Sequence, residues 1–116
     1  MTTSLTPSDH LNSEPLVLDK NAIVAFASRF DPQPYHLDAE AAEQSIFGGL
    51  CASGWHIAAL ATRLVSETLL QNGHPCVEMI SVSQMKWSHP IFNCFFLYFI
   101  LICTIKNQFF HWIVNL

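Results

Sequence analysis

The stretch from about Ser53 to Leu70 constrains the fold more than any other part of the chain. Ala52, Trp55, His56, Ala59, Leu60, Leu64 and Leu70 populate a broad apolar face at helical spacing, and Ala58, Ala59 and Ala61 keep the helix slim. A slim helix with one apolar face needs a partner that can approach it closely, and a sheet wrapped around it is such a partner. Gln71-Asn72-Gly73-His74-Pro75 supplies a glycine stop and a proline breaker. From Cys76 to Trp87 the pattern changes to period two, with Val77 and Met79 on one side and Glu78, Ile80 and Val82 on the other, which predicts a strand ended by His89-Pro90.

Upstream, residues 1–14 are polar and read as a flexible lead. They lack the cationic start and apolar run of a signal peptide, so a cytoplasmic location is expected. Leu16-Val17-Leu18 is a short apolar run suited to an edge strand. Asp19 or Asn21 can cap a helix through Phe30, in which Ile23, Phe26, Ala27 and Phe30 recur at helical spacing and which Pro32 and Pro34 stop. Asp38 can cap a second, short helix over AEAAEQS, and Gly48-Gly49 ends it.

With 116 residues the chain suits one domain. A net charge of -4 and the absence of any Lys/Arg run argue against a nucleic-acid partner. The four cysteines, Cys51, Cys76, Cys94 and Cys103, form no C-x-x-C pair and no zinc spacing with histidine, so no metal site is expected, and Cys51 and Cys76, in apolar or turn contexts, read as free thiols in a reducing compartment.

Asp31 and His36 are five residues apart on a loop stiffened by Pro32 and Pro34. A carboxylate next to an imidazole suits general acid–base work, because histidine titrates near neutrality and the acid can orient it or share its proton. By spacing alone the signal is weak, and the simpler reading is a turn in which Asp31 caps backbone N–H groups and His36 lies exposed. Of the other candidates, His56 beside Trp55 reads as a packed interior group, Ser53 as an N-cap, and Phe47 and Trp55 as core or pocket wall. His89 and His111 have no partner spacing.

The string FASRFDPQPYHLDAEAAEQSIFGGLCASGWHIAALATRL resembles the MaoC-like hydratase segment, with Asp31, Pro34, His36, Asp38, Phe47-Gly48 and Ala52-Ser53-Gly54 in the family's order and at compatible separations. The resemblance covers residues 15–90, including MKWSHP as the strand that follows the helix. It implies an α+β hot-dog fold, an antiparallel sheet wrapped around the Ser53–Leu70 helix. It also implies reversible hydration of a trans-2-enoyl-CoA, with Asp31 and His36 catalytic. Gly54, through its N–H, with Ser53 and Thr62, would serve the oxyanion and substrate. Coenzyme A is part of the substrate, so no separate cofactor is implied, and a homodimer is expected where the fold is complete.

Residues 91–116 depart from that family's pattern. They carry a single charge, Lys106, and IFNCFFLYFILICTI has no Gly, no Pro and no alternation. The expected later strands are therefore read as missing or replaced by an apolar tail, giving a partial hot-dog domain over 15–90. A truncated or frame-altered end is favoured over membrane attachment through 91–116. The alternative to an active hydratase is a non-catalytic fragment, membrane-associated or paired with an intact homologue.

Overall fold

The structure is a computed structural model that describes residues 10–74, 85–87, 89–92, 96–104 and 109–115. Its elements run β1 (His10–Asn12), β2 (Leu16–Val17), α1 (Lys20–Phe30), α2 (Pro34–Leu37), α3 (Ala39–Glu43), α4 (Gly54–Gln71), β3 (Phe96–Thr104) and β4 (Phe109–Asn115). They divide into two compact units. One holds β1, β4, nearly all of β3 and α4 from Ala61 onward; the other holds α1, α2, α3, the first turns of α4 and the segment around Trp87 and Ile91.

In the first unit β3 pairs antiparallel with β1, in register Leu11 to Leu101, and with β4, in register from Tyr98–Asn115 to Thr104–Phe109. With β2 these strands make a four-stranded sheet. The later part of α4 packs on the amino-terminal strands: Ala61 and Leu64 against Leu16, and Val65 and Leu69 against Leu11. Thr68, buried, donates its hydroxyl to the Leu64 carbonyl at 2.6 Å, so its polar atom is satisfied inside the helix. Past the helix end, Gly73 takes φ +80° while its N–H bonds the Leu70 carbonyl and His74 N–H bonds that of Leu69. This is the glycine stop the sequence carries.

Two expectations change here. The run after residue 90, where later strands are expected to be missing or replaced by an apolar tail, contains Phe96–Thr104 and Phe109–Asn115, laddered to each other. An unbroken apolar run is a signal that strand and helix share, so the missing alternation hid the β-branched and aromatic residues that favour a strand. Among the described residues no helix is long and apolar enough to cross a membrane. The buried stripe of α4 is also rotated from the expected face. Ile57, Ala61, Leu64, Val65, Thr68 and Leu69 are buried, whereas Trp55, Ala59 and Leu70 are exposed. Most of the strand expected over Cys76–Trp87 lies outside the described residues, and Met85–Trp87 are irregular.

In the second unit α1 starts where Asp19 accepts the Ala22 N–H at 2.8 Å, and buries Ile23 and Ala27. Asp38 caps α3 through the Glu40 N–H, as the sequence indicates. The loop between α1 and α3 is not a plain turn. It contains α2, with Pro34 at its first position, where a missing N–H breaks no helical hydrogen bond.

Candidate active site

Asp31 terminates α1: its backbone N–H still bonds the Ala27 carbonyl at 2.9 Å, and Pro32 prevents the helix from continuing. The single turn of α2 then reverses the chain and aims His36 back at that helix end. His36 Nε2 lies 3.4 Å from Asp31 Oδ2. His36 is only 6% exposed, so the plain-turn alternative, with an exposed histidine, does not describe this loop.

The segment from Leu50 to Ser53 forms the opposite wall. Cys51 N–H bonds the Tyr35 carbonyl at 3.2 Å, Ala52 N–H bonds the Ile91 carbonyl at 2.8 Å, and Cys51 bridges to Phe92. The Cys51 carbonyl lies 2.6 Å from His36 Nδ1. A carbonyl only accepts, so that nitrogen carries a proton, and in the neutral ring Nε2 faces Asp31 with its lone pair. The Ser53 hydroxyl, fully buried, donates to Asp31 Oδ2 at 2.7 Å and accepts the Trp55 N–H at 3.3 Å, capping α4 as the sequence suggests. Burial pushes the Cys51 thiol up from its ordinary value, which keeps it a neutral packing group 3.8 Å from His36 Nδ1.

A cleft of about 260 Å³ opens beside His36, lined by Tyr35, Phe47, Cys51 and Ala52 on one part and by Trp87, His89 and Pro90 on another. Tyr35 meets both His36 and Phe47 edge-on, so Phe47 is pocket wall, as one of its two readings had it. Trp55 is neither wall nor core; it is 61% exposed and meets Trp87 edge to face. Gly54 opens α4, and the space its missing side chain leaves is filled by the Trp87 indole, whose Nε1–H donates to the Gly54 carbonyl at 2.8 Å. The glycine is thus required by the packing of a tryptophan. Thr62 lies in the later part of α4, which belongs to the other unit, and its expected role gains no support from the geometry around Asp31. His56 is buried, stacks on Phe26 at 4.6 Å between ring centroids, and is not part of the cleft wall. Among the described residues no three His, Cys, Asp or Glu side chains gather in a metal-sized group.

Three contributors escaped the sequence. The Cys51 carbonyl is a backbone group, and no residue type announces it. Trp87 reaches Gly54 across 33 residues, a separation that leaves no periodic signal. His89 lines the cleft although nothing near it in sequence suggests a partner.

Comparison with known proteins bears on the family and the fold. Residues 3–111 match the family described as MaoC like domain. An uncharacterized protein of Bacillus subtilis (strain 168), YdeM, is 38% identical over 77 residues, 66% of this chain and 54% of its own length. The chain therefore spans about half the length of that curated relative. Among solved structures, the MaoC-like dehydratase from Rhodospirillum rubrum superposes with a TM-score of 0.74 at 38% identity, covering 86% of this chain and 67% of its own. The (R)-hydratase from A. caviae involved in PHA biosynthesis has a TM-score of 0.75 at 16% identity, covering 97% and 88%, a likeness of fold alone. These neighbours have the hot-dog fold, and hydratase or dehydratase chemistry is the activity attached to the family. The segment that carries Asp31, His36 and Ser53 thus sits inside the matched residues, and the chain belongs to the MaoC-like dehydratase family.

Proposed function

We propose that this protein adds water reversibly across the double bond of a trans-2-enoyl-CoA to give a 3-hydroxyacyl-CoA. The observation that carries the reading is the facing pair Asp31 Oδ2 and His36 Nε2, 3.4 Å apart, with His36 lining a cleft. Each has its other commitments met, by the Ser53 hydroxyl and the Cys51 carbonyl respectively. In the neutral form of the ring, whose Nδ1–H is committed to the Cys51 carbonyl, both atoms are acceptors, and a water to one side can donate one hydrogen to each. Such a water is held, oriented and ready to lose a proton.

In the forward direction the water oxygen bonds to C3 as one of its O–H bonds breaks, and the dyad takes that proton and passes it to C2. The net change is one water added. Negative charge develops on the thioester oxygen meanwhile, and the Gly54 N–H at the start of α4 is the donor assigned to it. Thr62 is assigned a supporting polar contact to the substrate. Coenzyme A enters as part of the substrate, and a cytoplasmic homodimer is the assembly assigned to the active form.

The test is hydration of crotonyl-CoA, followed by loss of the conjugated thioester absorbance, for the natural chain and for Asp31→Asn. A positioned acid–base group contributes about 100-fold to 10,000-fold, so the variant should lose at least about 100-fold in kcat. Equal rates in the two proteins would refute the role of the dyad. A second reading is a non-catalytic chain that pairs with a homologue. Co-expression with such a homologue and size-exclusion chromatography tests it, and separate elution counts against it.

A further inference from the structure

Ser53 stands closer to the chemistry than a helix cap needs to. Its side chain is fully buried, with 0% exposure, so water does not compete for its hydroxyl. The hydroxyl has one hydrogen to give, and that hydrogen goes to Asp31 Oδ2 at 2.7 Å. This is the same oxygen that faces His36 Nε2 at 3.4 Å. The lone pairs of Ser53 meanwhile accept the Trp55 N–H at 3.3 Å, which fixes the hydroxyl rotor from the other side. The sequence had offered Ser53 for the substrate or the oxyanion, but its only donor is already spent on the carboxylate.

We propose that Ser53 is a positioning residue for Asp31, the group that ties the carboxylate at the end of α1 to the start of α4 and keeps it an oriented acceptor for the reacting water. The assignment rests on the hydratase reading above and deepens it. Asp31 follows the last turn of a helix and precedes a proline, so its backbone is constrained while its side chain would otherwise be free to rotate about χ1. The Ser53 bond removes that freedom. On the imidazole the Cys51 carbonyl does the equivalent work, by selecting the tautomer. Each half of the dyad therefore has one fixed partner from the Cys51–Ser53 segment.

A positioning role and a purely structural one differ in what they predict. Ser53→Ala removes both the cap and the Asp31 donor, whereas Ser53→Gly removes the donor but keeps a residue well suited to an N-cap. Stability should therefore fall more in Ser53→Ala than in Ser53→Gly, while kcat for crotonyl-CoA falls by a similar factor, about 10-fold to 100-fold, in both. KM should change less than threefold, because the hydroxyl is not a substrate contact. In an Asp31→Asn background either Ser53 substitution should cost less than threefold further, since the group it positions is already disabled. Losses that multiply in the double variant, or activity that follows stability across the two single variants, would overturn the assignment. No hydration by the natural chain would instead refute the hydratase reading itself, and Ser53's role with it.

Discussion

Gly54→Ala probes the tightest contact in the second unit. A Cβ added at Gly54 would stand 2.5 Å from Trp87 Cε2, 2.6 Å from Nε1 and 2.7 Å from Cδ2. Carbon atoms in comfortable contact sit at about 3.5–4.0 Å, so the indole must retreat by roughly 1 Å. Trp87 is 47% exposed and can swing outward, but doing so releases two interactions. One is the 2.8 Å bond from its Nε1–H to the Gly54 carbonyl, worth about 0.5–1.5 kcal/mol. The other is the edge contact with Trp55 at 5.1 Å between centroids, of similar size, about 0.5–1.5 kcal/mol. Against these, replacing glycine by alanine narrows the unfolded ensemble and stabilises by about 0.4–1 kcal/mol. The expected net effect is a loss of about 1 kcal/mol. In a Trp87→Ala background the obstacle is gone and the same substitution should become neutral or slightly stabilising. Urea unfolding followed by far-UV circular dichroism gives both values, with the m-value as a check that the transition is the same. The built-in control is Gly48→Ala, where φ is +69° and nothing lies within 4 Å, so its cost is backbone strain and should not depend on Trp87. If Gly54→Ala costs the same with and without Trp87, the contact does not explain the glycine and the reasoning fails.

Two further outcomes follow from the same unit. Burial holds the His56 imidazole below its ordinary value of 6.5, and its Nδ1 has no partner among the described residues, so the ring is packed neutral against Phe26. The unfolded chain therefore takes up a proton first as the pH falls, and the stability contributed by the neutral ring, fully present above about pH 6.5, declines below it. His56→Phe should flatten that decline between pH 7.5 and about 5.5 in urea titrations, and an unchanged slope would count against it. Asp19→Ala removes the acceptor of the Ala22 N–H at the start of α1 and should cost about 1 kcal/mol, with Asp19→Ser recovering most of it; equal stability of the two variants would show that the cap is idle.

What the sequence settled by itself was local. The caps at Asp19 and Asp38, the proline stop after α1, the glycine end of α4 and the presence of a long central helix all depend on residues within a turn or two of one another. Such neighbours interact whatever the rest of the chain does. The motif residues from Asp31 to Gly54 went further and identified the family, because their order and separations stand in for contacts that are not local. What only the tertiary structure decided was which groups those contacts join. The rotation of α4 could not be read from an alanine-rich helix in which several faces are apolar enough to bury. The two late strands could not be read from a run without alternation. The partners of the dyad, a serine 22 residues from Asp31 and a backbone carbonyl 15 residues from His36, are set by how a loop lies across two helix ends. Hydrogen bonds of that kind depend on position to within a fraction of an ångström, and no periodicity in the chain encodes it.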